Sequence, residues 1–413
     1  MPFVPPGRHL MTAALLAALP SAALAGGPVS FFPLPEGAPP HWVPVDGAPD
    51  AGPWVDTDWS LGLRGAFSSD STGAARFETH MLPSAELTRS TPRLTYGASL
   101  DGDLSRAGDS SFDVNELRLG AKASYALGWG GALDGTASLE MNQEDPSAPD
   151  VPADVAATPV ELSGSGTAAY TQKLGRVSVT LKGNGGRDIY GTTMLKDGTL
   201  QDNSSQNNWN FGGGLRLGFA LTPVVGLFTD AEAGRTVFDA ADPSLGTRLD
   251  GNQYSLMGGV SAQWDERLSA EASAGVGLER FDNSGLADIV ATLYDASFTY
   301  KPSERLALTG SFTSSIGAPG PNGTGTAKVG YEALAGATYT VNDWLDWRAS
   351  ADGHDAHYPG TSATDRGNGY GVGADYVVNP HTRLSADYTF EHSDISGAAQ
   401  DEHTVSVGVS VHK

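Results

Sequence analysis

The chain has no cysteine among its 413 residues, few cations, and almost no uninterrupted apolar sequence. The missing thiol excludes disulfides, thiolate metal centres, a cysteine nucleophile and lipid attachment through cysteine. Lys and Arg number 25 against 48 Asp and Glu, a formal net charge of -23. Such a balance excludes nucleic acid as a natural partner, because phosphate backbones are gripped by Lys and Arg. Leu10 to Ala18 is the longest apolar run. That is well short of the ~20 residues a membrane-crossing helix needs.

What is present starts with an address. Residues 1–25 read as an export signal: Arg8 at the start, the Leu10–Ala18 core, and a small-residue cleavage site over Ala23, Leu24 and Ala25. Removing it takes away one cation and no carboxylate, so the mature chain is slightly more acidic still. Residues 26–57 are rich in proline, with Phe31, Phe32, Trp42 and Trp54 scattered among them. Proline removes backbone donors, so this stretch is expected to be a Pro-rich periplasmic arm, or a plug folding back into a lumen.

From residue 58 to 413 the pattern changes to strict alternation. Leu384, Ala386, Tyr388 and Phe390 alternate with Ser385, Asp387, Thr389 and Glu391. Val405, Val407, Val409 and Val411 then alternate with Ser406, Gly408, Ser410 and His412. Successive side chains of a strand point to opposite faces, so each pass has one apolar and one polar face. About eighteen such segments (16–18) follow one another, of which 79–90 is the least regular because Pro83 interrupts it. Short connections such as 91–92, 221–223 and 265–267 alternate with mostly longer ones such as 144–158, 191–204, 239–249 and 354–366. This predicts an all-β protein: an antiparallel up-and-down transmembrane β-barrel with short periplasmic turns and longer extracellular loops. The mean hydropathy of -0.22 is no objection, since every second residue of such a strand faces a lumen.

Aromatic residues give a second, independent signal. Tyr125, Tyr170, Phe219, Trp264, Tyr300, Tyr339 and Tyr376 each fall a few residues before a short turn, in the apolar set of their strand. An apolar ring with a polar tip settles at the headgroup level, so these seven are expected to form a periplasmic aromatic girdle.

The polar set then faces inward, because a Lys or Arg at mid-depth in hydrocarbon costs about 2–4 kcal/mol. The lumen-lining candidates over the first half are Arg64, Glu116, Arg118, Lys122, Glu140, Lys182, Arg216, Asp230 and Glu232. Those over the second half are Glu271, Glu279, Asp295, Arg305, Glu332, Asp346, Arg348, Asp375, Arg383, Asp387 and Glu391. Such a set lines either a hydrated channel, whose carboxylate surplus favours cations weakly, or a lumen closed by mutual ion pairs.

Chemistry-bearing motifs are weak. His354, Asp355 and His357, beside Asp352, form the one histidine cluster. Residues three apart on a strand face opposite sides, so metal ligation there would need a loop. No serine sits in a recognisable hydrolase motif, and Gly367 to Gly373 lacks the Lys-Ser/Thr of a phosphate loop. Glycine at inward positions is read as relief of crowding. No catalytic, cofactor or metal residue is assigned, and the chain is not expected to be an enzyme.

The recurring unit of aromatic strand, polar turn and aliphatic strand, as in YDASFTYKPSERLALTGSF (294–312) and GADYVVNPHTRLSADYTFEHS (373–393), resembles the outer-membrane β-barrel porin family of Gram-negative bacteria. The resemblance covers about 58–413. The chain departs from the usual barrel pattern in ending on Val411, His412 and Lys413 rather than on an aromatic residue. Genes of that family often lie near exopolysaccharide genes, which implies an alternative role in exopolysaccharide export or surface anchoring. The partners implied are outer-membrane lipid and lipopolysaccharide, the barrel-assembly machinery, and exopolysaccharide secretion proteins. The expectation carried forward is a passive pore for small hydrophilic solutes.

Overall fold

In a computed structural model, the described residues are 55–413 apart from 72, 74, 108–112, 145, 147–150, 152–153, 320–324 and 396. The expected export signal and nearly all of the Pro-rich arm lie outside them. The first strands are β1 (Asp56–Asp70), β2 (Ala75–Ser90), β3 (Leu94–Ala107), β4 (Asp113–Ala126), β5 (Gly131–Gln143), β6 (Val155–Ala157) and β7 (Val160–Leu174). Next come β8 (Val177–Tyr190), β9 (Thr193–Leu195), β10 (Leu200–Gln201), β11 (Asn208–Ala220), β12 (Val225–Phe238), β13 (Gly251–Trp264) and β14 (Leu268–Phe281). The last are β15 (Ile289–Ser303), β16 (Leu306–Gly317), β17 (Lys328–Asn342), β18 (Leu345–His357), β19 (Thr364–Asn379), β20 (Thr382–Ile395) and β21 (Ala398–His412).

Eighteen of these form one antiparallel sheet in which each strand pairs with its neighbours in sequence; β6, β9 and β10 form a separate three-stranded sheet. The large sheet closes where β1 meets β21, from Ser60 opposite His412 to Asp70 opposite Glu402. Following the registers once around returns to β1 displaced by about 22 residues, which is the shear of the barrel. With strands ~4.8 Å apart and ~3.4 Å per residue, that shear implies a tilt of about 40° and a backbone radius of roughly 18 Å. A cylinder of that size holds more than side chains from its own wall.

The sequence folds this way because one face of each strand is apolar and has no core to enter. Leu61 (48% exposed), Leu256 (60%), Val276 (53%) and Val407 (63%) all stand on the outside, uncovered by protein. Large apolar side chains so exposed mark a lipid-facing surface rather than a water-facing one. The inner face carries hydroxyls that satisfy one another across strands, as Thr136 with Thr167 (2.7 Å) and Ser138 with Ser165 (2.7 Å). Pro83 is accommodated within β2. It stands opposite Leu61 on β1, while the ladder to β3 skips from Met81–Leu104 to Ser84–Asp101. A residue without an N–H is tolerated where the ladder already lapses. On the periplasmic side the turns are tight: Gly175 (φ 65°) and Arg176 alone join β7 to β8.

The extracellular side is more elaborate than the sequence suggests. The connections read as plain loops at 144–158 and 191–204 supply β6, β9 and β10. A second group of loops packs against the upper inner wall. Phe238, Phe281 and Ile289, at strand ends, meet Leu249, Ala327 and Val329 in a dry cluster, with Leu286, Ile316 and Ala318 at its edge. The loops after β12, β14 and β16 are therefore held together over one sector of the mouth.

Two ion pairs brace the same loops from outside. Arg187 holds Asp239, and Arg235 holds Asp282 at 2.6 Å. The hydrogen bonds from these guanidinium groups keep both aspartates below the ordinary carboxylate value of 3.8. A folded-state pKa below the unfolded one contributes stability above the ordinary carboxylate range, and the contribution is lost as pH falls through the folded value. Acidification below the ordinary carboxylate range should therefore lower the amide protection factors, corrected for intrinsic exchange, in 239–250 and 282–288 before those of the barrel strands. Unchanged exchange in those loops would show that the pairs do not hold them.

Candidate functional site

The lumen wall is the site, and its chemistry is decided by parity. Every second residue of each barrel strand points inward, so Lys182, Arg216, Asp230, Glu271 and Asp295 are brought onto one surface from five different strands. Most of the described cations on that wall are paired. Arg64 meets Asp103 (3.5 Å), which also holds His80 (2.8 Å). Arg118 bridges Glu116 (3.0 Å) and Glu140 (3.1 Å), and Lys122 meets Glu86 (3.0 Å). Lys182 lies against Asp230 (2.6 Å) and Glu232 (3.2 Å), and Arg216 against Glu271 (2.5 Å). Arg348 spans Asp375 (2.8 Å) and Asp387 (2.7 Å). The more exposed of these pairs, such as Arg118 with Glu116 and Lys122 with Glu86, contribute up to about 1 kcal/mol each.

The carboxylates are not exhausted by this pairing. Asp295, Glu332, Glu279 and Asp346 point inward with no ion pair among the described residues, and Glu391 shares their inward face. Arg383 adds a cation near the periplasmic end of β20. Arg305 lies between β15 and β16, one residue before β16 starts, with its carbonyl accepting from the Thr340 amide.

The aromatic residues near the periplasmic turns lie on the outer face. Tyr125, Phe219, Trp264, Tyr300, Tyr339 and Tyr376 are 39–56% exposed. Tyr170 is only half-buried in the same row, with its hydroxyl donating to Gln172 at 2.8 Å. The histidine cluster is divided by the pleat. His354 turns inward to Asp365 (3.1 Å), whereas Asp355 turns outward to Arg366 (2.8 Å). Among the described residues no group of three or more His, Cys, Asp or Glu could hold a metal.

The glycine run of β19 relieves crowding as expected: Gly367, Gly369 and Gly373 lie under the side chains of His354, Asp352 and Asp387, whose charges lie flat on it. One feature of the wall escaped sequence reasoning. Phe228 points into the lumen, buried to 7% exposure, although it follows the outward Leu227. The adjacent Leu-Phe pair breaks the expected alternation of apolar and polar residues, and that break is the only signal the sequence carried.

A closed eighteen-strand antiparallel barrel with an apolar exterior and a charged, water-facing interior defines an outer-membrane β-barrel of the porin type. The family described as Putative beta-barrel porin 2 matches residues 76–413, and the chain belongs to it. Among solved structures it is similar to Pseudomonas aeruginosa OccK2 (OpdF), at 10% identity over 87% of this chain and 98% of that one, TM-score 0.44. It is also similar to Pseudomonas aeruginosa OpdK with vanillate, at 11% identity over 87% and 99%, TM-score 0.43. Pseudomonas aeruginosa OpdO stands at 14% identity over 86% and 97%, TM-score 0.42. No curated protein matches the chain.

Proposed function

We propose that this barrel is a passive, weakly cation-favouring pore for small hydrophilic solutes. The observation that carries the reading is the inner wall itself. Its cations are matched by carboxylates, and inward carboxylates such as Asp295 and Glu332 are left over. Fixed negative charge in a confined aqueous path raises the local concentration of cations and lowers that of anions. The dry cluster at the mouth narrows one sector of the entrance and so limits solute size. For the alternative role, exopolysaccharide export or surface anchoring, the same wall charge would repel an anionic polymer, so the polymer would have to be neutral or weakly bound.

Liposome swelling tests this directly. Vesicles carrying the folded barrel should swell in isosmotic arabinose or ethanolamine hydrochloride, and more slowly in sodium gluconate. Vesicles that hold correctly folded barrel and remain as tight as empty ones would contradict the pore reading.

A further inference from the structure

One stretch of the inner wall is ordered differently from the rest. Across β12, β8, β11, β14 and β15, charged side chains follow one another along a single row, with both cations held between carboxylates. Glu232 and Asp230 hold Lys182 at 3.2 and 2.6 Å. Asp230 also lies 3.9 Å from Arg216, which donates from both terminal nitrogens to Glu271 at 2.8 and 2.5 Å. Asp295 closes the row. It sits opposite Ser273, two residues along β14 from Glu271, and makes no ion pair among the described residues.

Arg216 is fixed from behind as well as in front. Its guanidinium lies 3.6 Å from the centroid of the Phe228 ring. That ring in turn lies flat over Gly259, where any side chain would overlap it. A planar cation stacked on an aromatic face and bound bidentately by a carboxylate has one geometry. Both oxygens of Glu271 are consequently occupied by Arg216. The carboxylates of the row with acceptors to spare are Glu232, whose side chain is 53% exposed, and Asp295 at the end.

Building on the pore reading above, we propose that this row is the charge filter of the pore, selecting small solutes that carry an ammonium group. Asp295 and Glu232 are its cation-facing members. Arg216 is a positioning residue that sets the strength of the filter by neutralising Glu271. The row thus makes opposite demands on its two kinds of member. Removing Asp295 weakens cation preference; removing Arg216 uncovers Glu271 and strengthens it.

The test is the reversal potential of single channels in planar bilayers under a potassium chloride gradient, repeated with ethylammonium chloride. Asp295→Asn should lower the cation-to-anion permeability ratio at least twofold, and Arg216→Gln should raise it. Asp355→Asn, which neutralises a carboxylate on the outer face beside Arg366, should leave it unchanged. Should Arg216→Gln fail to fold, Glu232→Gln carries the same test and should lower the ratio. Open channels in which Asp295→Asn and Glu232→Gln leave the ratio at its wild-type value would overturn the filter while leaving the pore intact. A wild-type barrel that folds and never conducts would instead overturn the pore reading on which the filter rests.

Discussion

Leu256→Arg should strongly destabilise the inserted barrel, while Ser255→Arg, one residue away, should be tolerated. Leu256 lies mid-strand on β13 between Ala231 and Val276, 60% exposed on the outer face. A guanidinium there meets hydrocarbon, and the cost at the bilayer midplane is about 2–4 kcal/mol. Ser255 points the other way, between Glu232 and Gly277. An arginine at that position enters water beside a carboxylate. The two variants differ in charge by nothing and in position by one residue, so any difference between them reports the medium on each face. Urea titration of the barrel in phospholipid vesicles, read by heat-dependent gel mobility, should show a large fall in midpoint for the first and little change for the second. Equal midpoints would mean that the face on which Leu256 stands is not in lipid.

The second large effect concerns the mouth. Phe281, 7% exposed, packs with Phe238, Leu249, Ile289, Ala327 and Val329, and these contacts hold three loops together. Truncating a buried phenylalanine to alanine typically costs 3–5 kcal/mol, from lost burial and the cavity left behind. Here the loss falls on the loops rather than on the barrel, because the truncation leaves the backbone ladder of β14, including the Gly251–Phe281 pair, in place. Phe281→Ala should therefore leave the unfolding midpoint of the barrel nearly unchanged. Amide exchange in 239–250 and 282–288 should rise by at least tenfold, and swelling rates for larger solutes should increase. Loop protection equal to wild type would show that the cluster does not hold the entrance.

How much of this was legible in the sequence follows from what strands reveal. Period-two alternation is a property of neighbouring residues, so the strand positions could be read along the chain, and with them the facing of Arg64, Lys182 and Asp387. Partnership is a property of strands far apart in the sequence. That Arg216 is held by Glu271 and stacked on Phe228 depends on register and on Gly259 leaving room, none of which is local. The loop structures were hidden for the same reason. Val155 and Leu195 pair across forty residues, and the cluster around Phe281 gathers residues from 238 to 329.

The central claim is that charged side chains surround a continuous column of water. The most direct measurement is the current through a planar bilayer into which purified, folded barrel has been inserted under potassium chloride. Discrete upward steps of uniform size, present at low voltage and scaling with salt concentration, are the predicted result. Confirmed insertion with a current no greater than that of the bare bilayer would contradict it, and would assign the paired charges to filling the barrel instead.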